Sequence, residues 1–182
     1  MKAVIDAHYE DDKAHVACVV FENWQDCNPL ELSRITMPVI SPYRPGRFFE
    51  RELPCLLAAI KGFRYKFDTI IIDGYVHLKK GIGKGLGTYL YESLPFPCIV
   101  IGVAKSPLKI ADNFVAITRG GSKRPLFVSS IGCPADAAAN AIISMHGNHR
   151  LPTLLKIADN IARGHFFNYR RLTQGDSLFN VL

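Results

Sequence analysis

The chain has 182 residues, of which 48% are hydrophobic and 21% charged, and 22 Lys and Arg against 16 Asp and Glu leave a net charge of +6. That length predicts one domain spanning residues 1–182, large enough to fold without a disulfide or structural metal. The composition excludes a disordered chain, no apolar run approaches the ~20 residues of a membrane span, and the basic excess suits a polyanionic partner.

In chain order, Lys2-Ala3-Val4-Ile5-Asp6 opens a strand over 2–9, and Glu10-Asp11-Asp12-Lys13 is a polar turn. The apolar stretch at 14–22 is a second strand, so 2–22 is read as a hairpin, with a third strand near 32–37. Ser41-Pro42-Tyr43-Arg44-Pro45-Gly46 is a rigid loop, because its two prolines fix φ and remove donors. A helix then begins, with Leu53, Leu56, Leu57 and Ile60 at i, i+3, i+4 and i+7 and Gly62 as C-cap. Residues 68–74 form a continuous apolar run ending in Asp73, the pattern of a strand covered on both faces. A helix is expected over 82–92 despite its glycines, and a second buried strand over 97–103, ending at Ala104-Lys105. Two shorter strands follow near 114–118 and 125–130. Helices over 134–145 and 152–163 close the pattern, the last with Leu154, Ile157, Ala158 and Ile161 on one side. An antiparallel hairpin followed by alternating units predicts an α/β fold, a mixed sheet with helices on both faces. The five cysteines, Cys18, Cys27, Cys55, Cys98 and Cys133, are odd in number and make no CxxC pair. They are expected to be mostly buried thiols in a reducing, cytoplasmic setting. Met1-Lys2-Ala3-Val4-Ile5-Asp6 meets a carboxylate too soon for a signal peptide.

Four carboxylates stand out by position. Asp6 interrupts the first strand, Asp73 ends the central one, Glu52 sits in the first turn of the first helix, and Asp159 lies in the last helix. Each has a plainer reading alone: an edge residue, a turn start before Gly74, a helix-dipole preference, and a solvated helix face. Together, two strand aspartates and two helix carboxylates make a hard oxygen site suited to Mg²⁺ and to phosphodiester hydrolysis. On this topology the pattern resembles a ribonuclease H-like nuclease core.

The motifs also resemble those of the endonuclease V family, in order along nearly the whole chain. They are Ile5-Asp6-Ala7-His8-Tyr9, then Pro42-Tyr43-Arg44-Pro45-Gly46 with Arg51-Glu52-Leu53-Pro54, then Ile72-Asp73-Gly74 with His77. Ile101-Gly102-Val103-Ala104-Lys105 follows, then Arg119-Gly120 with Lys123-Arg124-Pro125-Leu126-Phe127-Val128-Ser129, and His149-Arg150-Leu151-Pro152 with Ala158-Asp159. The resemblance implies a metal-dependent endonuclease that cuts DNA near deoxyinosine in DNA repair, leaving 3′-hydroxyl and 5′-phosphate ends. It implies Mg²⁺ or Mn²⁺ held by Asp6, Glu52, Asp73 and Asp159, with His77 and Lys105 beside the scissile phosphate. Tyr43 would be the wedge that fills the duplex when the base leaves the stack. Gly46, Gly74 and Gly102 would line the base pocket, letting backbone approach a planar base.

Other readings stay open at these positions: snorkelling for Lys105, a surface role for His77, packing in the proline loop for Tyr43, and turn geometry for the glycines. Lys79, Lys80, Lys84, Lys123 and Arg124 are candidate phosphate contacts, or else a solvated face. The sequence departs from the family pattern between Asp73 and His77. That stretch is two residues short, with Tyr75-Val76 where a second glycine is usual, and Leu78-Lys79 replaces a proline-arginine pair. Glu50 stands where an aromatic is usual. The alternatives are a ribonuclease for inosine-containing or structured RNA, and a nucleic-acid-binding module that does not cut. A monomer without a membrane or obligate protein partner is expected.

Overall fold

The computed structural model describes residues 1–39 and 47–165. Strands β1 (Lys2–Glu10) and β2 (Lys13–Phe21) pair antiparallel over their full length, and β3 (Glu31–Pro38) adds to β2. Asp11 and Asp12 turn the hairpin, both at positive φ, a conformation that short polar side chains tolerate. Helix α1 (Phe49–Lys61) carries the expected apolar face, buries Cys55, Leu56, Ala59 and Ile60, and ends at Gly62. Next come β4 (Thr69–Asp73), the two-residue β5 (His77–Leu78), α2 (Leu86–Ser93) and β6 (Ile99–Ala104). The chain continues through β7 (Ala111–Asp112), β8 (Phe114–Ile117), β9 (Leu126–Ile131), α3 (Ala135–Ser144) and α4 (Thr153–Ala162).

The seven-stranded sheet runs β3-β2-β1-β4-β6-β9-β8, with β1, β4 and β6 parallel and the remaining neighbours antiparallel. Strand alternation sends Ala3, Ile5, Ile70, Ile72 and Val100 to one face, where α1 and α2 cover them. Val4, Ile71, Ile101 and Val103 go to the other, under α3 and α4. This is the expected mixed α/β sheet with an N-terminal hairpin and helices on both faces.

One expected boundary is corrected and one element is added. The helix placed at 82–92 begins only at Leu86, because Gly83 has φ of +124°, outside any right-handed helix. The ribbon of β5 and β7 was not foreseen; strands of two residues are too short to show a period. All five cysteines are free, with Cys18, Cys55 and Cys98 buried and Cys27 exposed. Among the described residues, no helix is long and apolar enough to cross a membrane.

Candidate active site

The register of the parallel strands builds the centre. Ile5 of β1 pairs with Ile72 of β4, so the next residues, Asp6 and Asp73, stand side by side on the face that α4 covers. Asp73 is the last residue of β4, which places it at the carboxyl edge of the sheet. α4 packs on β1 and β2 and brings Asp159 to the same edge, while the first turn of α1 brings Glu52 from the opposite face. Asp6, Glu52 and Asp73 line one cleft of about 360 Å³ with Tyr9, Phe48 and Gly74.

Lys105 follows the last residue of β6, the strand beside β4, and joins the carboxylates from that side. Its Nζ donates to Asp73 Oδ2 at 2.9 Å and lies 3.6 Å from Asp159 Oδ1. Burial would lower its pKa, but Asp73, Asp6 and Asp159 outweigh that and hold the ammonium above its ordinary value. Asp159 is buried on α4 with Lys156 at 3.1 Å and Arg163 at 3.2 Å. Burial would raise its carboxyl; the hydrogen bond and charge of Lys156, with Lys105 and Arg163, overcome it and hold the group below the usual carboxylate range.

Asp6 and Glu52 are differently placed. Burial, reinforced by Asp73, pushes Asp6 up to about 6. Burial also pushes Glu52 up to about 7, with a hydrogen bond from Tyr9 opposing the shift and Asp6 adding to it. Among the described residues, neither has a salt-bridge partner. Tyr9 is itself fixed: its hydroxyl reaches Cys55 Sγ at 3.7 Å, and the Arg51 guanidinium lies 3.8 Å above its ring. An all-oxygen donor set with two under-compensated carboxylates fits a hard divalent cation. The four carboxylates do not yet close on one point: among the described residues, no three His, Cys, Asp or Glu groups form a set able to hold one ion. Lys105 instead bridges Asp73 and Asp159.

The other candidates divide. Tyr43 and Gly46 lie outside the described residues. Gly74 lines the carboxylate cleft, and a Cβ there would meet nothing within 4 Å. Gly102 faces protein instead. A Cβ on it would stand 2.5 Å from the Gly74 carbonyl oxygen and 3.0 Å from Ser129 Oγ, so close packing of the loop after β4 accounts for this glycine. Hydrogen bonds anchor that loop, three of them to β9 and the segment after β6. Val76 N donates to Ser129 Oγ at 3.0 Å, the Tyr75 hydroxyl donates to the Ser106 carbonyl at 2.9 Å, and His77 Nε2 meets the Ser130 carbonyl at 2.9 Å. His77 is therefore held against β9, away from the residues lining the carboxylate cleft. Lys79, Lys80, Lys123 and Arg124 are exposed, whereas Lys84 is paired with Glu92 at 2.7 Å.

Arg150 is a structural tie that the sequence motifs do not show. Its Nη2 donates to the carbonyls of Lys105 and, at 2.7 Å, of Pro125, tying the approach to α4 to the end of β6. Arg119 holds the preceding loop through the carbonyls of Met145, Gly147 and His149. No periodicity marks such contacts; an arginine beside a proline-started helix is the only signal in the sequence.

Comparison with known proteins places the chain in a family. The endonuclease V family model matches residues 2–118. The endonuclease V of Pyrococcus horikoshii is 30% identical over 174 residues, spanning 92% of this chain and 75% of that protein. The crystal structure of endonuclease V from Streptomyces avermitilis superposes with a TM-score of 0.72 at 23% identity, over 91% of this chain and 81% of the other. That of Ciona intestinalis endonuclease V (D234N), in complex with a 23mer DNA containing an inosine followed by a ribo-adenosine, gives 0.76 at 17% identity, over 92% and 85%.

Proposed function

Since the chain belongs to the endonuclease V family and is a nuclease acting on phosphodiester bonds, we propose that it cuts DNA beside deoxyinosine with a divalent cation, Mg²⁺ or Mn²⁺. The observation that carries this reading is the meeting of Asp6, Glu52 and Asp73 on one cleft, with Lys105 reaching Asp73 and Asp159 at its margin. Pure binding to a polyanion gains nothing from such a set, because clustered carboxylates repel phosphate.

Asp6, Glu52, Asp73 and Asp159 would hold the cation. When bound, it supplies an activated water and offsets charge on the phosphate. Hydrolysis joins the water oxygen to phosphorus and breaks the P–O3′ bond. The leaving 3′ oxygen takes up a proton, giving 3′-hydroxyl and 5′-phosphate ends. The Lys105 ammonium, kept charged by its acidic neighbours, offsets charge developing on a phosphoryl oxygen. Gly74 offers open backbone at the cleft to a base leaving the stack, and Tyr43 would fill the gap left in the duplex.

The test is a nicking assay on end-labelled duplex DNA with and without one deoxyinosine, in Mg²⁺, in Mn²⁺ and in EDTA, beside Asp73→Ala. Metal-dependent nicking next to deoxyinosine, lost in the variant, is expected. Cleavage confined to an inosine-containing RNA strand would overturn the DNA assignment, and no cleavage at all would overturn the metal chemistry.

A further inference from the structure

Lys105 also lines a second cleft, of about 520 Å³, together with Ser106, Arg124, Phe127, Arg150 and two prolines. Three of its lining residues are cationic and none is acidic. Of these, Arg124 is not spent on the fold in the way Lys84 is spent on Glu92. The Arg124 guanidinium is exposed and has no acceptor among the described residues. Arg150 uses only Nη2 on the Lys105 and Pro125 carbonyls, so its Nη1 and Nε have no acceptor among the described residues. The Phe127 ring is half-buried and held edge-on by Phe114 at 5.6 Å, with Tyr75 at 6.4 Å behind it. The cleft thus joins surplus guanidinium donors to a fixed apolar wall, the pairing that suits a phosphate and the sugar attached to it.

We propose that this cleft is the subsite for the nucleotide next to the scissile phosphate. Arg124 and Arg150 take its phosphate, and Phe127 with Pro107 and Pro125 walls its sugar. The inference rests on the nuclease reading above, in which Lys105 stands at the scissile phosphate. Because Lys105 lines the basic cleft and bonds Asp73, which lines the acidic one, a strand whose scissile phosphate meets Lys105 carries a neighbouring phosphate towards the basic cleft. Contacts of this kind position the strand and carry no base preference.

The experiment pairs a protein change with a substrate change. Product length first identifies the linkage that is cut. Each linkage flanking it is then replaced by an uncharged methylphosphonate, and single-turnover rate and binding are compared for wild type and Arg124→Gln. Arg124 is exposed, so the variant is expected to fold; Arg124→Lys, which keeps the charge, controls for shape. Each single change is expected to weaken wild-type binding by about tenfold, the size of a charge-assisted hydrogen bond. At one adjacent linkage, neutralisation should then cost Arg124→Gln clearly less than it costs wild type, the remaining loss being the share of Arg150. If the two losses multiply at every linkage, or Arg124→Gln behaves as wild type, the subsite is overturned. If wild type nicks nothing, the functional reading fails, and the same paired comparison made on binding in EDTA still decides the subsite.

Discussion

Two clefts share the edge of one sheet and differ in every respect that matters to their chemistry. The acidic one is lined by Asp6, Glu52 and Asp73 and by no cation, and the basic one by Lys105, Arg124 and Arg150 and by no carboxylate. The middle of β1, the end of β4 and the first turn of α1 supply the acidic groups, so register and packing fix them within rigid elements. The basic groups come from segments that follow β6, precede β9 and precede α4, and they reach the cleft on long side chains. Burial makes the acidic cleft costly, as the raised Asp6 and Glu52 carboxyls record. The basic cleft costs little, because Arg124 stays solvated and Arg150 is bonded to carbonyls. A chain of net charge +6 therefore concentrates negative charge where the chemistry is and leaves positive charge for the strand it holds.

That contrast can be broken most sharply from the acidic side. Asp6→Asn keeps the shape and removes the charge. It should lower single-turnover cleavage by about 10³-fold, as loss of an electrostatic stabiliser does, while raising metal-free stability by about 1 kcal/mol on thermal denaturation. A fall in both quantities would mean that the carboxylate serves the fold. Lys105→Met comes next. Cleavage should fall by about 10²-fold, and melting in EDTA should move down, because Asp73 and Asp159 lose their shared cation. Saturating Mg²⁺ should raise the melting temperature of wild type and much less that of Glu52→Gln, since a ligand that binds only the folded state stabilises it by mass action. Equal shifts in the two proteins would remove Glu52 from the ion's ligands. Arg150→Met should destabilise by about 1.5–3 kcal/mol through the freed carbonyls of Lys105 and Pro125. The smallest effect belongs to the rim: Arg124→Gln should lower the slope of log affinity against log salt by about one, and Lys84→Ala by nothing, because Glu92 already neutralises Lys84.

Much of the fold was legible because its elements carry strong periods. The apolar run ending at Asp73, the α1 face through Leu53, Leu56 and Ile60, and the α4 face through Leu154, Ile157 and Ile161 all match the observed elements. Where glycine controls φ, the pattern misled: Gly83 delayed α2 to Leu86. The acidic residues were legible as sequence positions, since a carboxylate at the end of a buried strand has few structural uses. Their neighbours were not. That His77 would turn to the Ser130 carbonyl, that Gly102 would be covered by the Gly74 carbonyl, and that Lys84 would be spent on Glu92 each depend on a partner 8 to 53 residues away.

Local spacing alone sets the order of the helices and of the strands of the seven-stranded sheet, the two covered faces of that sheet, and the places of the four carboxylates along the chain. Side-chain burial makes that spacing visible at periods of two and 3.6. That Asp6 and Asp73 stand abreast, that Lys105 bridges Asp73 and Asp159, and that Arg124 and Arg150 open onto one cleft depends on long-range packing. Strand register and the packing of α4 set those meetings, and both arise from contacts between segments far apart in the chain, whose sum no local window contains.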